Sequence, residues 1–468
     1  MKVFGFAKRL LLMLVASVMW AIAYASTLLP FDSSWTLSDV QERIAAGADV
    51  NAVDRFNWTP LHHAVREAQF PEVIKALLDA GANVNATRED GSTPLMEAAF
   101  YNRSAEVIQV LLEAGAEVNA TNKYDSSALI KATRINENLD VIRALLQAGA
   151  IFDRKNKYNE TPLERAIVSN RNSDIVEELI KYENKSKPEG AGAWVSFLAS
   201  IRTNPNSDLI KSYVAEGGNV NKKTLDHMTP LLLASRFGSP PQLIKSLIAA
   251  GADIHAEETS GHSVLETALI NENFDIAKEL ISAGASVNAR KDFGFYGGAG
   301  ITPLMTVAER GYSSKPIDVL LEEGANIHAR TEEGWTALMV AAHLNPRLEI
   351  INKLLEAGST VNAKNKDGDS ALTLAVSLIP NIEIIEKLIE AGSELDARNK
   401  DGDSALMIAA KLGQDSVVAY LLDMGANPRL RNTAGKTALD HYNFYNSILN
   451  KNNKKTDTYW RLVDESFD

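Results

Sequence analysis

Histidines and carboxylates are the residues of this chain that could perform acid–base or metal chemistry, and they are scattered. The sequence contains no HExxH, GxSxG, GxxxxGK[ST] or GxGxxG motif, so the spacings typical of zinc proteases, serine hydrolases and nucleotide-binding loops are missing. His62 and His63 are adjacent, but neighbouring positions of a helix point in different directions, and a pair of metal ligands needs one face. We therefore predict no catalytic residue and no cofactor.

An acidic octet, Asn-Lys-Asp-Gly-Asp-Ser-Ala-Leu, occurs at residues 365–372 and again at 399–406. Two aspartates around a glycine resemble part of a calcium loop, in which carboxylates supply oxygen ligands. An EF-hand loop also needs a glutamate at its last position, where the first copy has Val376. The alternative is a tight turn, which Asp-Gly pairs favour. We adopt the turn and predict no metal site.

Both octets belong to a longer phrase that recurs through the chain. One copy consists of residues 93–98, Thr-Pro-Leu-Met-Glu-Ala, a second apolar run, and residues 114–120, Ala-Gly-Ala-Glu-Val-Asn-Ala. Threonine can cap a helix whose first turn accommodates proline, and glycine adopts the left-handed conformation common at a helix C-terminus. Each copy therefore predicts two short antiparallel helices and a hairpin-like finger. Since one pair cannot bury its apolar face alone, the copies must stack.

The first residue of the phrase recurs mostly at a spacing of 34 residues. These anchors are Thr59, Thr93, Ser127, Thr161, Thr229, Ser263, Thr302, Thr336, Ser370, Ser404 and Thr437. The pattern TPLxxA with AGAxVNA resembles the ankyrin repeat. The resemblance implies an all-α ankyrin-repeat solenoid of about twelve stacked helix-turn-helix units with hairpin fingers. It also implies that partners bind at the finger tips and on the concave face of the first helices.

The register of the repeats divides the chain into segments. We assign residues 1–25 to a signal peptide, 26–52 to an N-terminal capping half-repeat, 53–184 to a first block of repeats, 185–222 to a degenerate repeat, 223–436 to a second block with a finger insertion at 291–301, and 437–468 to a C-terminal cap. The degenerate repeat follows from the spacing of Thr161 and Thr229, which is two periods, with Phe197 at the leucine position. In the half-repeat, Ser38 and Gln41 have the spacing of a capping box.

Residues 1–25 have the composition of an export signal. They begin with basic residues, continue with an almost wholly apolar stretch at 10–23, and end in Ala23-Tyr24-Ala25, which fits a small-x-small cleavage site. An uncleaved membrane anchor is the alternative, but about 14 apolar residues are fewer than the roughly 20 that span a bilayer. We predict a cleaved signal and no stable membrane insertion afterwards.

The composition favours an exported bacterial protein. The chain has no cysteine, so it forms no disulfide and must be stabilised by its core. Its net charge of -12 disfavours nucleic acid as a partner. N-glycosylation sequons recur, several inside the repeat phrase, where a glycan would obstruct stacking. They lie at Asn57, Asn85, Asn102, Asn119, Asn159 and Asn184. We expect a monomeric protein of a bacterial envelope, either periplasmic or secreted.

The residues just before each anchor lie at the finger tips if the resemblance holds. Lysine beside tyrosine on two successive fingers would form a ridge suited to an extended protein surface. The tryptophans that precede Thr59 and Thr336 could instead shield the turn, and both interpretations stay open. The aromatic residues of the insertion are not needed for stacking, which favours binding. The predicted partner-binding residues are Arg55, Phe56, Trp58, Glu89, Lys123, Tyr124, Lys157, Tyr158, Phe293, Phe295, Tyr296 and Trp335.

We therefore expect an exported protein-binding scaffold that recognises a protein partner through its finger tips and concave face. One alternative is a bacterial effector or toxin-neutralising protein, which neighbouring genes would distinguish. Another is an enzyme with a site near the aromatic insertion. That site would need converging acids or bases, and Asp292 with His262 is too little to supply them.

Overall fold

The computed structural model describes residues 28–29, 35–67, 71–101, 104–186, 192–203, 207–224, 226–292, 299–378, 381–448 and 457–467. This part of the chain contains twenty-five α-helices and, apart from three isolated bridges, no strand. The prediction of an all-α fold is confirmed. None of the helices in these segments has the length and apolar character needed to cross a bilayer. The predicted signal peptide, residues 1–25, lies outside the described residues.

The chain folds as two compact units, and in the residues that the structure describes a single helix precedes twelve helix pairs. The first unit, Met1–Asn219 with Lys223–Asp226, contains α1 (Leu37–Ala45), α2 (Pro60–Glu67), α3 (Pro71–Asp79), α4 (Pro94–Tyr101), α5 (Ala105–Glu113), α6 (Ala128–Ile135), α7 (Leu139–Gln147), α8 (Pro162–Ser169), α9 (Ser173–Ser186), α10 (Ala193–Thr203) and α11 (Ser207–Ala215). The second unit, Val220–Lys222 with His227–Asp468, contains α12 (Pro230–Phe237), α13 (Pro241–Ala249), α14 (Val264–Ile270), α15 (Phe274–Ser282), α16 (Pro303–Arg310), α17 (Lys315–Glu322), α18 (Ala337–Leu344), α19 (Leu348–Glu356), α20 (Ala371–Ser377), α21 (Ile382–Glu390), α22 (Ala405–Lys411), α23 (Asp415–Asp423), α24 (Ala438–Ile448) and α25 (Asp457–Phe467).

The repeat phrase forms a helix pair through its capping residues. In α8, the Thr161 hydroxyl accepts a hydrogen bond from the Glu164 N–H, and the Glu164 side chain accepts one from the Thr161 N–H at 2.8 Å. This capping box satisfies two backbone donors, and Pro162 needs no partner at its position. The second helix of a pair ends at a left-handed glycine. Gly115, for example, has a φ of 88° and donates its N–H to the Leu112 carbonyl.

The N-terminal helix α1 is capped by a different residue from the one predicted. The prediction of a capping box at Ser38 and Gln41 is wrong, because the Thr36 side chain caps the helix and Asp39 accepts the Thr36 N–H at 2.8 Å. The usual capping-box pattern has glutamate or glutamine at this position, so it does not identify a box closed by the shorter side chain of aspartate. α1 packs against α3, as the second helix of a half-repeat would.

Within each unit, first helices pack on first helices and second helices on second helices. The leucine of the phrase lies in this core, and Leu61, Leu95, Leu129 and Leu163 are all buried. Each such side chain contributes about 2 kcal/mol relative to an exposed one. The core is therefore continuous within a unit, and no helix pair supplies it alone.

In six copies of the phrase, an asparagine near its end joins one repeat to the next. Asn119 donates its Nδ2 to the Gly149 carbonyl at 3.0 Å and accepts the Ile151 N–H on Oδ1 at 2.8 Å. The same two bonds recur at Asn51, Asn85, Asn221, Asn288 and Asn362. Two of these residues, Asn85 and Asn119, belong to sequons, so the nitrogen that would carry a glycan is already bonded between repeats.

The segment assigned to a degenerate repeat contains the helix pair α10 and α11. Phe197 is buried and stacks on Tyr213, with ring centroids 4.2 Å apart. The Arg202 guanidinium donates to the carbonyls of Ile167 and Asn170 at 2.8 and 2.7 Å. It thus caps the end of α8, as asparagines do in neighbouring repeats, and ties this pair to the repeat before it.

We expect Asn119→Asp to lower the free energy of unfolding by about 0.5–1.5 kcal/mol, the usual contribution of one hydrogen bond. The carboxylate would still accept the Ile151 N–H, but it would place an oxygen against the Gly149 carbonyl, which would lose its donor at this exposed position. Urea titrations followed by circular dichroism would measure the loss. Asn159→Asp is the matched control, because Asn159 is exposed on a finger at a φ of 59°, which aspartate tolerates. Equal stability of the two variants would contradict a role for the asparagine bridge.

Candidate functional site

The fingers are tight turns that hydrogen bonds join to one another. Asn122 Oδ1 accepts the Tyr124 N–H at 3.0 Å, which fixes the third finger. The Lys123 N–H donates to the Asp90 carbonyl of the finger before it at 2.9 Å, and the Lys157 N–H donates to the Tyr124 carbonyl at 3.0 Å. The tips therefore hold their side chains at fixed positions relative to one another.

A cleft of about 530 Å³ lies between the fingers of the first unit and its helices α4, α6 and α8. Tyr124 and Tyr158 line the finger side and are 39 and 59% exposed, while Phe100, Tyr101 and Ile130 line the helix side. The charged residues of the lining are Arg88, Asp90, Glu97, Lys131, Arg134, Glu160, Arg165 and Asp226. The cleft thus combines aromatic surface with four acids and four bases.

Glu97 is the most deeply buried charge of the cleft, at 1% exposure. Lys131, from the next repeat, donates to Glu97 Oε1 at 3.0 Å and to the Ser92 hydroxyl at 2.9 Å. Glu97 Oε2 accepts no hydrogen bond from the described residues and lies 3.5 Å from Arg88 Nη1. A buried ion pair of this kind contributes little net stability, but loss of one partner would strand the other charge. The pair therefore fixes the geometry of the floor.

The remaining acids of the cleft also have cationic partners. Arg88 donates to both oxygens of Asp90, at 2.6 and 2.7 Å. Burial would raise the pKa of Asp90, but the hydrogen bonds from Arg88 and Ser92 outweigh it and hold the pKa of that carboxyl well below its usual range. Arg165 lies 3.0 Å from Glu160 and 2.9 Å from Asp226. The low pKa keeps Asp90 ionised at neutral pH, and all three carboxylates lie within 3.0 Å of an arginine nitrogen.

The first finger carries two exposed residues of the predicted set. Phe56 is 50% exposed, and the Arg55 guanidinium lies 4.6 Å from its ring centroid. Trp58 is half-buried, with Arg88 at 4.9 Å and the His63 ring at 5.0 Å from its ring. That environment favours a turn-shielding role for Trp58 over contact with a partner.

The second unit contains the other predicted tryptophan, and its environment is similar. Trp335 is half-buried and its ring centroid lies 5.7 Å from that of His343. The predicted insertion residues Phe293, Phe295 and Tyr296 lie outside the described residues. The start of the insertion is anchored by Lys291, whose Nζ donates to buried Glu266 and whose backbone N–H donates to the Ile301 carbonyl.

The predicted residues of the second, third and fourth fingers are all solvent-accessible. Glu89, Lys123 and Lys157 are exposed at the tips, beside the tyrosines that line the cleft. The structure therefore brings Tyr124 and Tyr158 together in one site and leaves Glu89, Lys123 and Lys157 on its rim.

Sequence reasoning named the finger residues but missed the floor of the cleft. The floor comes from Glu97, Lys131 and Arg165, each of which follows its anchor by four residues. The signal was present, because a charge at the same position of an otherwise apolar helix in three successive repeats is unexpected for a core position. Phe100 and Arg134 carried no comparable signal.

His62 and one aspartate of each repeated octet form structural hydrogen bonds. Within the described residues, no group of three or more histidine, aspartate or glutamate side chains could hold a metal ion. His62 is buried, its Nδ1 lies 2.9 Å from the Thr59 hydroxyl, and its Nε2 lies 3.2 Å from the Ser92 carbonyl. In the repeated octets, Asp369 and Asp403 accept the Nδ2 groups of Asn399 and Asn432, at 3.2 and 2.7 Å. They join successive fingers.

The comparison with protein families identifies the fold. A family model of ankyrin repeats, in sets of three copies, matches residues 36–122, 119–189, 197–291, 290–365, 339–432 and 372–451. The chain belongs to the ankyrin-repeat family, and the predicted resemblance is confirmed. Among curated proteins, the search found no match for this chain.

We expect His62 to make stability depend on pH below neutrality. Burial lowers the pKa of His62 from 6.5 to about 4, and a protonated ring would direct an N–H at the donor N–H of Thr59. The stabilisation is complete above pH 6.5 and is lost as the pH falls through 4. In urea titrations, the advantage of the parent over His62→Ala should shrink by about 2–3 kcal/mol between pH 7.5 and 4.5.

The matched control for this measurement is His255→Ala, since His255 is exposed. A pH dependence of the same size in this variant would mean that the effect does not depend on burial of the ring. A constant difference for His62→Ala would mean that the buried ring is not held neutral.

Proposed function

We propose that the chain is an exported protein-binding scaffold whose partner binds at the fingers and first helices of the first unit. The observation that carries this proposal is the cleft itself. It presents exposed Tyr124 and Tyr158 on fingers that backbone hydrogen bonds hold in register, above a floor whose charges are already paired. Rigid aromatic side chains beside satisfied polar groups are typical of protein-binding surfaces.

One observation supports export, and a second favours a bacterial envelope as the destination. The sequence of residues 1–25 has the order of basic, apolar and small residues that an export signal needs. The repeat-bridging asparagines also favour a bacterial envelope over a glycosylating secretory route. Glycans on Asn85 or Asn119 would replace a hydrogen on the nitrogen that bonds to the next repeat, and the stack depends on those bonds.

We expect the partner to be lost when the two cleft tyrosines are truncated. Tyr124→Ala with Tyr158→Ala should weaken capture of the partner from an envelope extract of the source cell by about tenfold or more, because buried tyrosines are frequent binding hot spots. Tyr312→Ala with Phe444→Ala is the matched control, since both side chains are large and exposed, at 62 and 65%, in the second unit. Quantitative mass spectrometry of the retained proteins would compare the three baits.

Retention of the same proteins by both variants would show that the cleft is not the binding site. Loss from both variants would point to general apolar adhesion. Only selective loss from the first variant supports the proposal.

We expect cleavage after Ala25 when the full chain is expressed in a bacterial host. Ala23 and Ala25 occupy the positions where the processing enzyme requires small residues. Intact mass spectrometry should find a chain that begins at Ser26. Ala25→Asp should preserve residues 1–25, whereas Tyr24→Ser, at the position between the two alanines, should be processed normally. A parent chain that keeps its first 25 residues would favour the membrane anchor instead.

A further inference from the structure

Charge is distributed unevenly between the two sides of the repeats in the first unit. The finger and first-helix segments, residues 53–67, 87–101, 121–135 and 155–169, contain nine lysines or arginines and eight aspartates or glutamates. The second-helix segments, residues 71–86, 104–120, 138–154 and 172–186, contain five lysines or arginines and eleven aspartates or glutamates. The acidity of the chain is therefore concentrated away from the cleft, and an acidic partner would meet the least repulsion at the fingers.

The acids that line the cleft are not available to a partner. Asp90, Glu97, Glu160 and Asp226 each have an arginine or lysine nitrogen of this chain within 3.0 Å. An incoming cation would have to break one of these internal pairs, which costs several kcal/mol where the pair is buried, as at Glu97. The acids therefore discourage a basic ligand.

One of the four cations that line the cleft is not paired as the other three are. Arg134, in the last turn of α6, is exposed and has no carboxylate within 4 Å among the described residues, whereas Arg88, Lys131 and Arg165 are all paired. Lys123 and Lys157 at the rim also lack an acidic partner in the described part of the chain, and the Lys123 ammonium lies 5.3 Å from the Tyr124 ring. The tips contribute the exposed acids Glu89 and Asp125, but neither lines the cleft.

We propose that the cleft takes an extended acidic protein segment, with one of its carboxylates on the guanidinium of Arg134. This inference rests on the proposed function and names the chemistry of the partner at the same site. Arginine presents a planar pair of N–H donors that matches a carboxylate. Phe100 and Tyr101 on α4 provide an adjacent surface for an apolar side chain of the segment. Lys123 and Lys157, on the fingers, contact further carboxylates of the bound segment.

A selection from a random-peptide phage library on the immobilised full chain tests this proposal. The parent should enrich peptides in which aspartate or glutamate stands next to an apolar or aromatic residue. A selected peptide should bind Arg134→Glu at least about tenfold more weakly, because a charge-assisted hydrogen bond is replaced by repulsion. Binding to the parent should also weaken as salt is raised.

Arg171→Glu is the matched control. Arg171 is an exposed arginine of the same unit, in the turn between α8 and α9 and outside the cleft, so this variant should bind the peptide as the parent does. Arg134→Lys should lose only part of the affinity, since it keeps the charge but not the two-pronged donor. Circular dichroism would verify that each variant is folded.

Three results would overturn the proposal. The first is a selection that yields no binding peptides or no excess of acidic residues, and the second is equal binding to the parent and Arg134→Glu. The third is displacement of the peptide by a single-stranded oligonucleotide at the same charge concentration, which would make the surface a general polyanion site. Partner capture that depends on Tyr124 and Tyr158 could still succeed in each case, so failure of the proposed function remains a separate outcome.

Discussion

The repeats of this chain depend on a constraint that acts between neighbours. A two-helix unit buries its leucines only when another unit covers them, and several backbone groups that its own caps leave unbonded are satisfied by the next unit. Asn119 illustrates the constraint, because its amide meets one donor and one acceptor of the following repeat. An asparagine is suited to this position since its side chain has both kinds of group, whereas aspartate or leucine would lack one or both. Direct backbone bonds between successive fingers add to this constraint, as from the Lys123 N–H to the Asp90 carbonyl.

The fold could be predicted from the sequence because the repeat phrase contains the residues that begin and end its helices. Thr161 and Pro162 define the start of a helix, Gly115 defines the end of another, and the period places every later copy. A capping residue outside the usual pattern was harder to find, as Thr36 and Asp39 demonstrate. Helix caps can be predicted in this way because they depend only on residues that are close in the sequence.

The candidate site was only partly accessible to the same reasoning. Tyr124 and Tyr158 could be named because they stand just before an anchor, where the family projects its fingers. Lys131 could not be assigned to a site, since its significance lies in the carboxylate of Glu97, 34 residues earlier and one repeat away. Likewise, Arg134 is an ordinary exposed helix residue until the structure shows that its neighbours in the cleft are paired. The periodic pattern marks the charged positions, but it does not specify which charges pair across repeats.

The position four residues after the anchor explains how one scaffold can carry different surfaces. In the first unit it holds Glu97, Lys131 and Arg165, which form paired charges at the floor of the cleft. In the second unit it holds mainly small or apolar residues: Leu233, Thr267, Thr306, Val340 and Leu374. All five are buried, so the packing of the first helices tolerates either kind of side chain. A charged floor costs desolvation that an apolar one does not, and its ion pairs give little net stability in return. Its retention at three successive repeats is consistent with a surface shaped for recognition, because fixed, paired charges reject wrong partners more strongly than an apolar floor can.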